Sequence, residues 1–225
     1  MSTRGAIARL NGNGGFKGVY NHFDSYPEGL GRTLFKIYRE VFNKDLKAMT
    51  KFLIDDHPAG WSTINGCDFS LPAGYRMWPN NNTPCKACGK ENWRHYRQYY
   101  KEMNEELPPP ESWSKENEVL VLGHGFVCPE KPPTPPQCYC HGERHEEAWE
   151  ITEKNASSSG IEWVYAFNEE KNEMHILASY YDPNGKFAGK KMIGMFGFGD
   201  PNAVWKTVVV VDLNGDEPDW ERIKA

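Results

Sequence analysis

Among the residues of this 225-residue chain, its six cysteines and seven histidines have the most chemistry to offer. Cys85 and Cys88 form a Cys-x-x-Cys pair between Pro84 and Gly89, while Cys138 and Cys140 form Cys-x-Cys, with His141 and His145 close behind. Soft thiolates gathered by short spacing suit a tetrahedral Zn2+ centre, and structural zinc sites use four protein ligands. Cys85, Cys88, Cys138 and Cys140 are therefore the expected ligand set. Cys138, Cys140 and His141 cannot all turn inward at once, so a Cys3His set using His141, His145 or Cys128 stays open. Four protein ligands leave no position for water, which makes the expected zinc a staple rather than a catalyst. His141 and His145 stand at i and i+4, as in a metalloprotease helix. However, Glu143 is one position late for that motif, and Gly142 weakens a helix.

A second group of polar residues lies near the N-terminus. Strand alternation after the first turn sends Tyr20, His22 and Asp24 to one face and Val19, Asn21 and Phe23 to the other. Tyr26, Glu28 and Thr33 follow at the entry to a helix, and Arg4 lies across the hairpin. Arg4, Tyr20, His22, Asp24 and Tyr26 together form the expected pocket for a small anionic ligand, of which a nucleotide is the natural example. The competing reading is a surface His22–Asp24 pair with Asp24-Ser25 capping the helix. Hydrolysis of a phosphodiester or amide at the same cluster, with His22 as general acid or base, is the enzymatic alternative; it requires a nucleophile within hydrogen-bond reach. Ser2 as an N-terminal nucleophile carries little weight. No complete catalytic motif occurs.

Other segments carry less. Asp56-His57-Pro58-Ala59-Gly60-Trp61-Ser62 combines a histidine, a carboxylate and a hydroxyl without the strand-turn-helix setting of a hydrolase nucleophile, so a structural loop anchored by Trp61 is expected. Arg94 to Lys101 mixes cations with aromatics, as single-strand binders do. Flanking glutamates favour an ordinary amphipathic helix over Glu91 to Glu106, with a zinc-stapled protein- or nucleic-acid-interaction module as a third functional reading. The glycines from Gly194 to Gly199 lack nucleotide-binding spacing.

These groups need a frame. Gly5 to Leu10 and Phe16 to Phe23 read as a hairpin, and Leu30, Leu34, Ile37, Tyr38 and Val41 as the apolar side of a helix. Leu46, Met49, Phe52 and Leu53 mark a second helix. Strands are expected at Trp163–Asn168, Met174–Tyr181 and Trp205–Leu213, and a short helix at Glu217–Ile223. The predicted fold is α+β: one mostly antiparallel sheet from the N-terminal hairpin and the C-terminal strands, flanked by helices. It forms a single domain over 1–225, with its core at 1–60 and 160–225 and a zinc-stapled, loop-rich insertion at about 61–159.

Net charge is −5, the isoelectric point is about 5.8 and mean hydropathy is −0.72. This balance offers no general attraction for nucleic acid or anionic membrane. No run approaches the roughly 20 apolar residues that cross a bilayer, and Met1-Ser2-Thr3-Arg4-Gly5 lacks a signal-peptide core. A cytoplasmic location is expected, which favours metal ligation over disulfides.

Ser2-Thr3-Arg4-Gly5, Tyr20-Asn21-His22-Phe23-Asp24-Ser25-Tyr26-Pro27, His57-Pro58-Ala59-Gly60-Trp61-Ser62 and Cys138-Tyr139-Cys140-His141-Gly142 together resemble a loose family of uncharacterised proteins of actinobacteria and their phages. The N-terminal signature is also similar to that of smaller phage proteins without the metal motif. The resemblance implies an ancestral sheet into which the cysteine segment was inserted. It also implies a phage-type accessory role, with a small anionic ligand or a host protein as partner.

Overall fold

The structure is a computed structural model. It describes residues 3–12, 14–74, 134–142, 144–180 and 204–224, and the backbone of short strands at 94–95, 120–121 and 125–128. Residues 1–75 and 135–225 form one compact unit, and 76–134 form a second.

The first unit is built on an eight-stranded sheet. Strands β1 (Gly5–Leu10) and β2 (Phe16–Asn21) form the N-terminal hairpin, closed by a turn in which the Asn11 side chain accepts from the Gly15 amide at 2.8 Å. Strands β9 (Trp163–Asn168), β10 (Glu173–Tyr180) and β11 (Val204–Asp212) form an antiparallel meander. The two blocks join through a parallel pairing of β1 with β9, in which Ile7 stands opposite Tyr165. The far edge of β2 is shared by two short strands. These are β8 (Glu150–Thr152), opposite residues 17–19, and β3 (Trp61–Thr63), opposite Asn21, and β3 in turn pairs with β7 (Gln137–Cys138). Thus β3, β7 and β8, from the middle of the chain, are strands of this sheet. Between Ile176 and Leu177 the β10–β11 register slips, leaving Val208 unpaired as a bulge.

Alternation divides the core in two. Ile7, Val19, Tyr165, Phe167, Met174, Ile176 and Val211 face the helices and bury Leu30, Leu34, Phe35, Met49 and Leu53. Ala6, Ala8, Phe16, Tyr20, Val164 and Ala166 face the opposite side, which Ile151, Ala156, Ile161 and Tyr139 cover. Helix α1 (Arg32–Glu40) follows a wider turn at Pro27–Gly31, where Pro27 needs no amide partner. Helix α2 (Leu46–Thr50), capped by the Asp45 carboxylate on the Ala48 amide, runs into a wider turn at Lys51–Asp55. Val41 was expected on the buried side of α1 but is 40 % exposed, because it terminates the helix where the chain turns away. Trp220, in a short 3-10 turn at Trp220–Arg222, packs on Phe35.

The second unit contains β4 (Arg94–His95), β5 (Leu120–Val121) and β6 (Gly125–Cys128), in the order β4-β6-β5. The expected helix over Glu91 to Glu106 is therefore wrong at Arg94 and His95, which pair with Val127 and Cys128. Aromatic neighbours at Trp93 and Tyr96 suit a strand as well as a helix. The rest of that expected helix lies outside the described residues.

One polar group ties sheet to helix. Arg9 on β1 donates to Glu169 at 2.5 Å, to both oxygens of Asp55 at 2.7 and 2.8 Å, and to Thr50 at 3.1 Å. The Arg9 hydrogen bond holds the Asp55 carboxyl below its usual range. Burial pushes Glu169 upward, but the hydrogen bonds from Thr50 and Arg9 outweigh it, so its carboxyl also sits low. Carboxylates depressed in the folded state stabilise it above their unfolded pKa, and that stability disappears as pH falls through the folded value. Urea midpoints should therefore hold steady from pH 7 to about 5 and decline below about pH 4.5. Arg9→Met should cost roughly 1 kcal/mol at pH 7 and flatten the acid limb; a parallel limb in the variant would place the acid sensitivity elsewhere.

Candidate metal centre

The loop from His57 to Gly60 is held against α2's continuation by two ring donors. Trp61 Nε1 donates to the Leu53 carbonyl at 2.8 Å, and His57 Nδ1 lies 2.6 Å from the Phe52 carbonyl oxygen. A carbonyl can only accept, so Nδ1 carries the proton and Nε2 keeps its lone pair. The buried His57 ring is wedged between Phe52 and Trp61, with centroids at 4.7 and 4.4 Å. Burial pushes its pKa down, the Phe52 carbonyl opposes this and His141 adds to it; the ring is neutral at pH 7.

Strand β7 delivers the second group. Cys138, fully buried, stands opposite Trp61, and its Sγ lies 3.3 Å from His141 Nδ1. Burial pushes the Cys138 thiol up, while the backbone amides of His141 and Cys140 aim at the sulfur and favour the thiolate. His57, Cys138 and His141 place one ligand atom each within 4.8 Å of the others. Zinc-type bonds of 2.0–2.3 Å imply ligand separations of roughly 3.3–3.6 Å, so closure on an ion asks for about 1 Å of adjustment. Two imidazoles and a thiolate suit a borderline-soft metal and exclude Ca2+ or Mg2+, which need oxygen ligands. A histidine whose second nitrogen is held by a main-chain carbonyl is the usual dress of a metal ligand.

Backbone bonds zip the loop to the 138–141 turn. Tyr139 N donates to the Gly60 carbonyl at 3.0 Å, and Ala59 N donates to Cys140 Sγ at 3.2 Å. Gly60 has φ +82, and a Cβ there would meet the Tyr20 carbonyl oxygen at 2.4 Å.

Of the expected thiolates, Cys138 belongs to this group, and the sulfur of the half-buried Cys140 is engaged by Ala59. Cys85 and Cys88 lie outside the described residues, and of Cys128 only the backbone, in β6, is described. His145 is exposed at φ +50 and is not in the cluster. His57 was missed: its loop is anchored by Trp61 as expected, but nothing in His57-Pro58-Ala59-Gly60 signals a partner some eighty residues away.

The N-terminal residues divide between two places. Tyr20 OH lies 2.9 Å from His22 Nδ1, and the Tyr20 ring stacks at 5.0 Å on Trp149, which is 44 % exposed. Burial pushes the Tyr20 phenol up to about 12, with Arg4 opposing and Tyr139 adding. His22 is pushed down by burial and then by the positive charges of Arg4 and Arg144. Arg144 covers the Tyr139 ring at 5.0 Å. Arg4, Tyr20 and His22 are thus brought together, joined by Arg144, Tyr139 and Trp149. Asp24, at φ +52, and Tyr26 instead line a separate groove of about 760 Å³ with Arg32, Lys36 and Asp68.

Comparison of the chain with protein-family models, curated proteins and solved structures finds no match.

Because Gly60 combines left-handed backbone with a close approach to β2, Gly60→Ala should cost about 2 kcal/mol, roughly 4–8 °C in Tm. Metal content after purification should fall with it. A variant with unchanged Tm and full metal would mean the loop seat is adaptable.

Proposed function

We propose that this chain is a zinc-stapled binding protein that captures a small anionic ligand, of the nucleotide class, at Arg4, Tyr20 and His22. The observation supporting the binding half is the contact of the Tyr20 hydroxyl with His22 Nδ1 at 2.9 Å, next to Trp149 and to Arg144, which covers Tyr139 and also pairs with Glu146 at 3.0 Å, with Arg4 adding positive charge. A neutral imidazole and a phenol supply hydrogen bonds, while two guanidiniums supply field and geometry for a phosphate. Hydrolysis is the weaker reading, because the phenol is held far from its nucleophilic form.

Zinc is the ion we assign to His57, Cys138 and His141, because an imidazole and thiolate donor set with no oxygen matches it best. When bound, it would clamp the 57–61 loop to the 138–141 turn. Cys140, on the same turn, lies outside this group, its sulfur accepting from the Ala59 amide.

Two measurements test the reading on protein prepared without chelator. Native mass spectrometry should show one zinc per chain, reduced in His57→Ala and in Cys138→Ser. Calorimetric titration with AMP should show binding that weakens at least tenfold in Arg4→Ala and His22→Ala, with zinc content unchanged. No bound metal would sink the staple, and AMP binding indifferent to Arg4 and His22 would sink the site.

A further inference from the structure

The metal group and the anion site share one short piece of chain. Cys138 ends β7 facing the helix-side core, and Tyr139, next in the chain, faces the opposite core, where Tyr20 lies. In the chain Tyr139 lies between two members of the metal group, directly after Cys138 and two residues before His141. After the turn, Arg144 covers the Tyr139 ring and Glu146 N donates to the Tyr139 carbonyl at 2.8 Å. Trp149 N donates to the Pro58 carbonyl at 2.9 Å, one residue from His57, and the Trp149 ring reaches Tyr20. Residues 144–149 are all exposed and lie outside any strand or helix, so little apolar burial fixes them. They run into β8, which pairs with β2, and their other attachments are to the 57–60 loop and the 138–141 turn, the two pieces that carry the metal group.

We propose that metal occupancy at His57, Cys138 and His141 controls the affinity of the anion site, and that Tyr139, Arg144 and Trp149 are ligand-binding residues placed by it. The ligand chemistry is a phosphate with a planar ring: guanidiniums of Arg4 and Arg144 for the charge, and the exposed Trp149 face for the ring. This rests on the binding reading above and adds its regulation. Coupling between two binding sites is reciprocal, so a ligand favoured by the metal must also retain the metal.

That reciprocity allows a test on the loaded, folded protein. Zinc affinity is measured by equilibrium competition with a chromophoric chelator, with and without saturating AMP; the zinc Kd should fall about tenfold with AMP, and the difference should vanish in Arg144→Ala. Amide exchange supplies a second readout: metal removal should strip protection from Glu146 and Trp149 while β9 and β10 keep theirs. AMP that binds the zinc-loaded protein but leaves its zinc affinity unchanged overturns the coupling alone. AMP that fails to bind the loaded protein overturns the binding reading, and the coupling with it. Exchange at Glu146 and Trp149 indifferent to the metal, or loss of protection across β9 and β10 as well, overturns the placement of this segment by the metal.

Discussion

Strand β1 has a backbone neighbour on each edge and a hydrophobic layer on each face. Its N–H and C=O groups alternate between β2 and β9, so both hairpin and meander lose their partner if β1 is displaced. Residues Gly5 to Ala8 are buried, and small side chains at Ala6 and Ala8 let the covering segment 151–161 sit close on one side while Ile7 meets the helical layer on the other. Where β1 runs out of burial, Arg9 takes over and links the strand to Asp55 and Glu169. The candidate sites inherit this order: β2 is aligned by β1, β3 by β2, and β7, carrying Cys138, by β3.

What could be read from the sequence follows how local each signal is. Turn formers at Asn11–Gly15 and alternation on either side made the hairpin visible, and apolar spacing from Leu30 to Leu53 made both helices visible, except at Val41, where the helix ends. The C-terminal strands were legible for the same reason. The parallel seam between β1 and β9 joins residues more than 150 positions apart and leaves no local trace. Strands β3, β7 and β8 have two or three residues each, too few for a period of two to register. At the candidate metal group, Cys138 was legible from thiolate spacing and His141 stood among three open alternatives, while His57 was not legible, because its place comes from a carbonyl five residues back and a turn eighty residues on. Asp24 was expected beside His22, but its positive φ breaks the alternation that the expectation assumed.

The turn between Asn21 and Ser25 separates the two N-terminal sites. The Asn21 side chain donates to the Phe23 carbonyl and to Ser25 Oγ, and the Ser25 carbonyl accepts from the buried Tyr165 hydroxyl at 2.8 Å. With the chain pinned there, His22 stays with Tyr20, and Asp24 turns toward Asn65, whose amide donates to the Asp24 carbonyl. A buried hydrogen-bond cluster thus determines which polar residues can cooperate.

Strand β11 carries four consecutive valines and, among the described residues, ends the strand order, and an apolar edge of that kind invites a second chain to add itself. The slip at Val208 changes what such a visitor would meet. Lys206 pairs with Ala178 on the helical side, whereas Asp212 pairs with Glu173 on the opposite side, although the two are six residues apart and would share a face in a regular strand. A second copy laid antiparallel with valine against valine would therefore find its lysine and aspartate on opposite faces. One inserted residue denies the edge that self-complementary register.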